Sequence, residues 1–352
     1  MASAALQFGL DTFGDVTRAK TGGLTSHAQV IRDVVDEAVL ADGLGIDFFG
    51  VGEHHRSDFA ISSPEMVLAA AAGRTSRIRL GSAVTVLSSD EPVRVFQRFS
   101  TLDAVSSGRA EVIVGRGSFT ESFPLFGLPL DQYEQLFEEK LDLFAALLRD
   151  RRVDWQGSLR APLVGAEVHP QPQAPLRTWI GVGGSPQSIV RAARYGLPVM
   201  LAIIGGDALR FHPYVDLFKR ALSEFGKPAA PIGVHSPGHV AATDAEARDR
   251  FWPHYREMHD RIGTQRGWPP LARDSFEQEI AAGSLYLGSA ETVARKITRM
   301  VRLLDPARFQ LKYSAGTLPH SMMMDSIERY GRDVVPMVRD MLASHAPVAA
   351  VA

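Results

Sequence analysis

Short apolar runs alternate along this chain with longer segments whose apolar residues recur every three to four positions. The runs lie at 6–10, from 48 onward, and at 78–86, 110–114, 178–182, 198–204, 232–241 and 308–313. Unbroken apolar runs of this length read as strands covered on both faces, the pattern of a parallel sheet. The segments between them predict helices over 27–45, 64–75, 92–106, 132–149, 186–195, 207–225, 244–259, from 289 through Val301, and over 318–342. Their ends are marked. Ser26, Asp244 and Ser289 stand where N-caps belong, Pro64 and Pro92 open first turns, and Gly43, Gly45, Gly108 and Gly226 supply stops. Strictly alternating strands and helices, eight strands in all, predict an α/β fold: a single (β/α)8 TIM barrel over 1–352. Insertions fall near 115–131, 150–177 and 261–284; the second reads as a hairpin, the third as irregular, and the tail 347–352 as frayed. An open doubly wound sheet would want an early Gly-x-Gly-x-x-Gly, and Asp11-Thr12-Phe13-Gly14-Asp15 stands there instead.

Chemistry gathers where strands stop. The run from Phe48 ends in Glu53-His54-His55, at what a barrel makes its catalytic end. Side chains alternate in extended chain, so Glu53 and His55 should face one way and His54 the other. An unperturbed imidazole titrates near 6.5, so His54 could take or give a proton near neutral pH. The competing reading is a rim cluster without chemistry. Zinc is disfavoured because His-Glu-x-x-His spacing is absent. Gly81-Ser82-Ala83 places small residues in a core strand, either to let a flat ring approach or to make a tight barrel corner. Arg116 stands between Gly115 and Gly117, able to hold a phosphate or to pair with Glu53 or Asp58. Gly183-Gly184-Ser185-Pro186 runs from a strand into a helix, with Ser188 one turn on. Bare backbone N–H groups at a helix start favour an anion, although Ser185 as a plain N-cap explains the same residues. A phosphate site, a flat-ring platform and a histidine together fit a mononucleotide with a planar ring, FMN being the economical choice.

Charge and composition narrow the field. With 38 basic and 40 acidic residues among 352, the net charge is −2, which implies no nucleic-acid partner. No cysteine is present, hence no disulfide, thiolate metal site or cysteine nucleophile, and no metal is expected. No apolar run approaches the roughly 20 residues of a membrane span, and Met1–Leu6 lacks a signal pattern, so a cytoplasmic protein is expected.

The set Glu53-His54-His55, Gly81 through Leu87, Pro92-Val93-Arg94, Leu102-Asp103, Ser107-Gly108-Arg109, Gly115-Arg116-Gly117 and Gly183-Gly184-Ser185-Pro186 resembles the bacterial luciferase-like family of flavin-dependent oxidoreductases. Tyr195-Gly196-Leu197-Pro198 and Gly288-Ser289-Ala290-Glu291-Thr292 extend the resemblance, which covers roughly 6–342. It implies a barrel using FMN, or in one branch a deazaflavin. It implies a monooxygenase that takes reduced FMN from a separate flavin reductase and adds one oxygen atom to a small apolar substrate. A flavin- or deazaflavin-dependent dehydrogenase or reductase is the alternative, and a non-catalytic flavin-binding protein a third. His54 matches the family's active-site histidine, with Glu53 beside it. Ala83–Val84 matches a cis peptide under the flavin ring, with Thr85 following. Arg116, Gly183, Gly184, Ser185 and Ser188 match cofactor-holding positions. Phe13, Phe59, Phe119, Phe123 and Phe126 are expected on the substrate side. The cysteine and the leucine-tyrosine pair of luciferase itself are replaced by Gly115 and Ser118-Phe119, so its substrate and light emission do not carry over. Helices 64–75 and 92–106 carry more apolar and small residues than an outer ring needs, and a homodimer through them is expected.

Overall fold

In a computed structural model, residues 5–19 and 21–344 are described; the tail 347–352 lies outside them. Eight parallel strands close on themselves: β1 (Gln7–Thr12), β2 (Phe48–Val51), β3 (Arg79–Ser82, resumed at Thr85–Val86), β4 (Ala110–Gly115), β5 (Arg177–Val182), β6 (Val199–Ala202), β7 (Ile232–Val240) and β8 (Arg308–Lys312). Each pairs with the next, β7 pairs with β8, and β8 returns to β1, so no edge is left within the ring. The expected TIM barrel is borne out, with its strands within two residues of their predicted ends except where β3 is interrupted. The interruption is the Ala83–Val84 peptide, which is cis. A further short strand, Tyr286–Gly288, which the apolar pattern does not predict, lies parallel against the end of β7.

Helices alternate with the strands: α1 (His27–Gly43), α2 (Pro64–Ala72), α3 (Pro92–Val105), α4 (Tyr133–Arg149), α5 (Pro186–Tyr195), α6 (His212–Glu224), α7 (Asp244–Arg266), α8 (Arg273–Ala281), α9 (Ala290–Leu304) and α10 (His320–Arg329). Ser26 and Ser289 cap as expected, accepting from the amides of Gln29 and Thr292. Asp244 does not cap. Thr243 accepts from the Glu246 amide instead, and the Asp244 carboxylate reaches Ser289 N at 2.7 Å and Thr292 Oγ1 at 2.9 Å, tying α7 to α9. The segment 261–284 is a second correction. It is largely helical, the end of α7 followed by α8, because Phe276 and Ile280 sit one turn apart and both bury. The segment 150–177 is the expected antiparallel hairpin, Arg152–Trp155 with Leu163–Glu167.

The barrel is filled by its own side chains. Phe48, Ile113, Trp179 and Met200 form an inner cluster with Val84 against it. A Cβ on Gly81 would come within 2.7 Å of Phe48, and Cβ atoms on Gly115 and Gly181 within 2.8 and 3.0 Å of Val84. These glycines therefore make room for the barrel's own plug. Below the plug, Glu111 and Arg308 form a buried pair at the amino-terminal end of the strands. No described helix is long and apolar enough to cross a membrane.

One buried group gives a pH dependence. His239 on β7 is fully buried against Phe251, and neither ring nitrogen has a protein partner. Burial, helped by the nearby Arg250 charge, holds its pKa down at about 4. The folded value lies below the ordinary one, so the unfolded chain binds the proton first. Stability is then lost as pH falls from about 6.5 toward about 4, reaching about 2 kcal/mol at about pH 5 for this residue. Chemical denaturation at neutral pH and near pH 5 should show the loss in the parent, and His239→Phe should remove that share of it. An equal loss in both proteins would assign it to other groups.

Candidate active site

Glu53, Ala83, Arg116 and Gly183 all stand at the carboxyl ends of their strands, the side of a barrel where loops build active sites. The alternation expected for Glu53-His54-His55 is observed. Glu53 Oε1 meets His55 Nε2 at 2.9 Å, and Oε2 accepts from the Val86 amide at 2.8 Å. Both oxygens of Glu53 thus brace the rim around the Ala83–Val84 peptide, and the carbonyl of Val84, in the following peptide, accepts from the Glu53 amide at 3.2 Å.

His54 turns the other way, into an aromatic wall. Its ring stacks on Phe59 at 4.2 Å and meets Phe13 at 4.8 Å and Phe119 at 5.1 Å. No hydrogen bond to its ring is formed by any described residue. Burial in this wall pushes its pKa down to about 3; the opposing Asp15 and Lys312 charges act more weakly. The ring is therefore held neutral near neutral pH, its pKa below the ordinary imidazole range in which the sequence alone would place it. Phe119 is held in place between two guanidinium groups, Arg56 at 4.8 Å and Arg266 at 4.9 Å. Phe123 packs instead on Tyr133 within the 115–131 loop, and half-exposed Phe126 lies edge-on against His55 at 5.1 Å. Of the five phenylalanines, 13, 59 and 119 share the wall with His54.

Across the mouth, the loop after β5 meets α4 and α5. Ser185 caps α5, accepting from Ser188 N at 3.4 Å; Gly184 has φ +103°, and nothing lies within 4 Å of where a Cβ on Gly183 would stand. Arg116 pairs with Glu134 of α4, not with Glu53 or Asp58, and lies over the Tyr133 ring. Sequence reasoning missed Arg191. It is buried one turn beyond Ser188, donates to Ser188 Oγ at 3.4 Å, and pairs with Glu138 and with the same Glu134. Two arginines, two serine hydroxyls and an unblocked Gly-Gly backbone therefore meet in one place. The set fits a phosphate group, which would take over the Arg116 fork from Glu134. Thr85 Oγ1, buried without a protein partner, is a further polar atom at this end of the barrel.

The wall on the other side of Phe13 is polar. Asp11 Oδ2 lies 2.8 Å from His235 Nδ1, and Lys312 Nζ lies 3.1 Å from Asp15 and 4.6 Å above the Phe13 ring. His235 stacks along Phe13 at 6.1 Å. Charged residues closing otherwise apolar strands, Asp11 and Lys312, were the available signal. No cluster of three or more metal-ligating residues occurs among the described residues.

Comparison with known proteins identifies the family and the fold. The family model described as luciferase-like monooxygenase matches residues 12–305. A 4-hydroxyprotoasukamycin monooxygenase of Streptomyces nodosus is 33% identical over 274 residues, 71% of this chain and 71% of that protein. Among solved structures, the monooxygenase RslO1 of Streptomyces bottropensis superposes with a TM-score of 0.81 at 23% identity, over 94% of this chain and 99% of that one. The oxygenating component of 3,6-diketocamphane monooxygenase from Pseudomonas putida, in complex with FMN, gives 0.74 at 19% identity, over 94% and 98%. A coenzyme F420-dependent tetrahydromethanopterin reductase of Methanopyrus kandleri gives 0.71 at 17%, over 95% and 99%. With most of its length matched, the chain belongs to the luciferase-like monooxygenase family and is a flavin-dependent oxidoreductase.

Proposed function

We propose that the chain is the oxygenating component of a two-component monooxygenase. It takes reduced FMN from a separate flavin reductase and inserts one atom of O2 into a small, largely apolar organic substrate. The observation that carries this is the pairing of a phosphate cradle with an aromatic wall at one end of the barrel. Arg116, Arg191, Ser185 and Ser188 form the cradle, and a neutral His54 is set in the wall. FMN has one phosphate, one such cradle is found among the described residues, and the FMN-bound camphane enzyme shares the fold. When bound, the flavin supplies the electrons that activate oxygen. His54, held neutral, offers one donor and one acceptor to the reacting groups, and Phe13, Phe59 and Phe119 exclude water. Glu53 braces the rim through both of its oxygens, one to His55 and one to the Val86 amide.

Anaerobic titration with reduced FMN, followed by mixing with air, tests the reading. Tight binding of reduced FMN, with oxygen uptake exceeding the hydrogen peroxide released once substrate is present, supports it. Binding of F420 in preference to FMN, with no oxygen uptake, would move the chain to the dehydrogenase reading that the F420-dependent neighbour represents.

Arg116→Ala should weaken FMN binding by about 1.5–3 kcal/mol, roughly tenfold or more in Kd, as loss of a charge-assisted bond to phosphate does. Glu134 competes for the same guanidinium, so Glu134→Gln should leave binding equal or tighter. Fluorescence quenching reads both; an unchanged Kd in Arg116→Ala assigns the arginine to structure. We further propose a two-fold homodimer through α2 and α3. Their outer faces expose Met66 and Val105, 69% and 55% accessible, beside half-buried Ala69. Light scattering at micromolar concentration should give twice the chain mass, and Met66→Glu should halve it. A monomer in the parent protein would end this proposal.

A further inference from the structure

The cleft carries a second imidazole that the reading above leaves without a task. His235 lies on β7 level with Gln310 on β8, and its Nδ1 is held 2.8 Å from the fully buried carboxylate of Asp11 on β1. In the neutral imidazole, an Nδ1–H donated to the Asp11 carboxylate leaves Nε2 as the acceptor. No described residue reaches Nε2. Close by, Asp11 Oδ1 and both amide atoms of Gln310 are buried without partners. Buried polar atoms in folded chains are nearly always paired, so orphans beside an unengaged imidazole nitrogen mark a place that a ligand completes. Lys312 cannot be the completing group, since Asp15 and Ser314 take its ammonium. The same wall is joined to the aromatic one through Phe13, which stacks along His235 and meets His54 on its other side.

We propose that His235, oriented by Asp11, accepts the proton of an acidic hydroxyl on the substrate, so that the enzyme acts on phenols or enols rather than on plain hydrocarbons. This deepens the monooxygenase reading and rests on it. An acceptor-only nitrogen needs a donor, which an ether, alkane or ketone lacks. In the step, the substrate O–H bond breaks heterolytically, the electron pair stays on oxygen, and the proton bonds to Nε2. The imidazolium then lies between the substrate oxyanion and the Asp11 carboxylate, which is how a carboxylate–imidazole pair stabilises transferred charge. No oxidant is consumed. The oxyanion raises electron density at the carbons ortho and para to it, the positions an electrophilic oxygen donor attacks. Asp11 is a positioning residue; His235 is the one that touches substrate.

The test uses binding, not turnover. Protein loaded with oxidised FMN, its loading verified by flavin fluorescence, is titrated with 4-nitrophenol and with its methyl ether, 4-nitroanisole. At a pH where free 4-nitrophenol is mostly protonated, the bound ligand should show the visible phenolate band. The phenol should bind at least about tenfold more tightly than the ether, the order expected of a hydrogen bond to a charged group. His235→Gln, which keeps a polar side chain but cannot take the proton, should lose the band and the preference; Asp11→Asn should lose most of the band. Equal affinities in the parent protein, absence of the band there, or an undiminished band in His235→Gln would each overturn the proposal. The comparison within the parent protein needs no variant to fold. Failure to load FMN is seen at the first step and counts against the flavin reading, not against His235.

Discussion

His54→Ala is expected to leave FMN affinity nearly unchanged and to lower substrate oxidation by at least about 100-fold, the lower end of what positioned acid–base and hydrogen-bonding groups contribute. More of each reduced flavin's electrons should appear as hydrogen peroxide. The cradle that would hold the phosphate involves other residues, which is why affinity should survive. The ring of His54 has no hydrogen-bond partner among the described residues and faces the cleft through an aromatic wall. A structural histidine tied to a carboxylate would show that carboxylate; Asp15 and Asp58 act on it only through space. Its pKa, pushed down to about 3 by burial, adds a second expectation. The group stays neutral above that value, so the pH profile of turnover should carry no inflection near 6.5 from this residue. His54→Gln, a neutral donor and acceptor, should recover part of the lost turnover, whereas a proton-transfer role near neutral pH would leave glutamine as poor as alanine. Loss of the stack on Phe59 should lower the melting temperature modestly, since such contacts contribute about 0.5–1.5 kcal/mol. Turnover, peroxide yield and melting temperature measured on one preparation decide the matter: full, coupled turnover with a large melting loss would make His54 structural.

The barrel was legible in the sequence because its signals are local. Apolar runs, Pro64 and Pro92 at first helical turns, and Gly196 after Tyr195 each report on a few neighbouring residues. The site was legible where chemistry falls at a strand end, as with Glu53-His54-His55 and Gly183 through Ser188. What escaped depends on packing between distant segments. Asp11 and His235 are 224 positions apart and meet only once β7, β8 and β1 close the ring. Arg191 reads as a surface residue of a short helix until α4 brings Glu134 and Glu138 against it. Phe123 is expected beside Phe119 as part of an apolar pocket lining, yet it lies in the short helix Ser122–Leu125 and packs on Tyr133. Gly81 of β3 signals a close approach, and Phe48 is a neighbour that makes one, but a glycine cannot name its neighbour. Burial has the same effect on His54: its place was readable, its protonation was not.

Glu111→Ala is expected to cost about 3–5 kcal/mol of folding stability, a large share of what domains ordinarily possess, because it leaves a buried cation unpaired. Arg308 is 1% exposed and sits between the Phe48 and Trp179 rings at 4.5 and 4.7 Å. Its guanidinium donates to Glu111 at 2.8 and 3.1 Å, and Glu111 also accepts from Arg79 and, at 3.1 Å, from Trp179 Nε1. Burial alone would push the Glu111 carboxyl up; Arg308 and Arg79 outweigh it and hold the pKa below the usual carboxylate range. The pair's contribution is therefore present above that range and fades as pH falls through it. Two further variants separate a lost contact from a stranded charge. Glu111→Gln keeps the shape but not the charge and should cost nearly as much as alanine. The double variant Glu111→Leu with Arg308→Met removes both charges and should recover most of the loss, since an apolar replacement of a buried ion pair is often neutral or better. Denaturant midpoints, followed by tryptophan fluorescence with Trp179 as a reporter inside the barrel, measure all three. A loss below about 1 kcal/mol in Glu111→Ala, the scale of an exposed ion pair, would mean that water reaches Arg308 and that the floor of the barrel is not sealed.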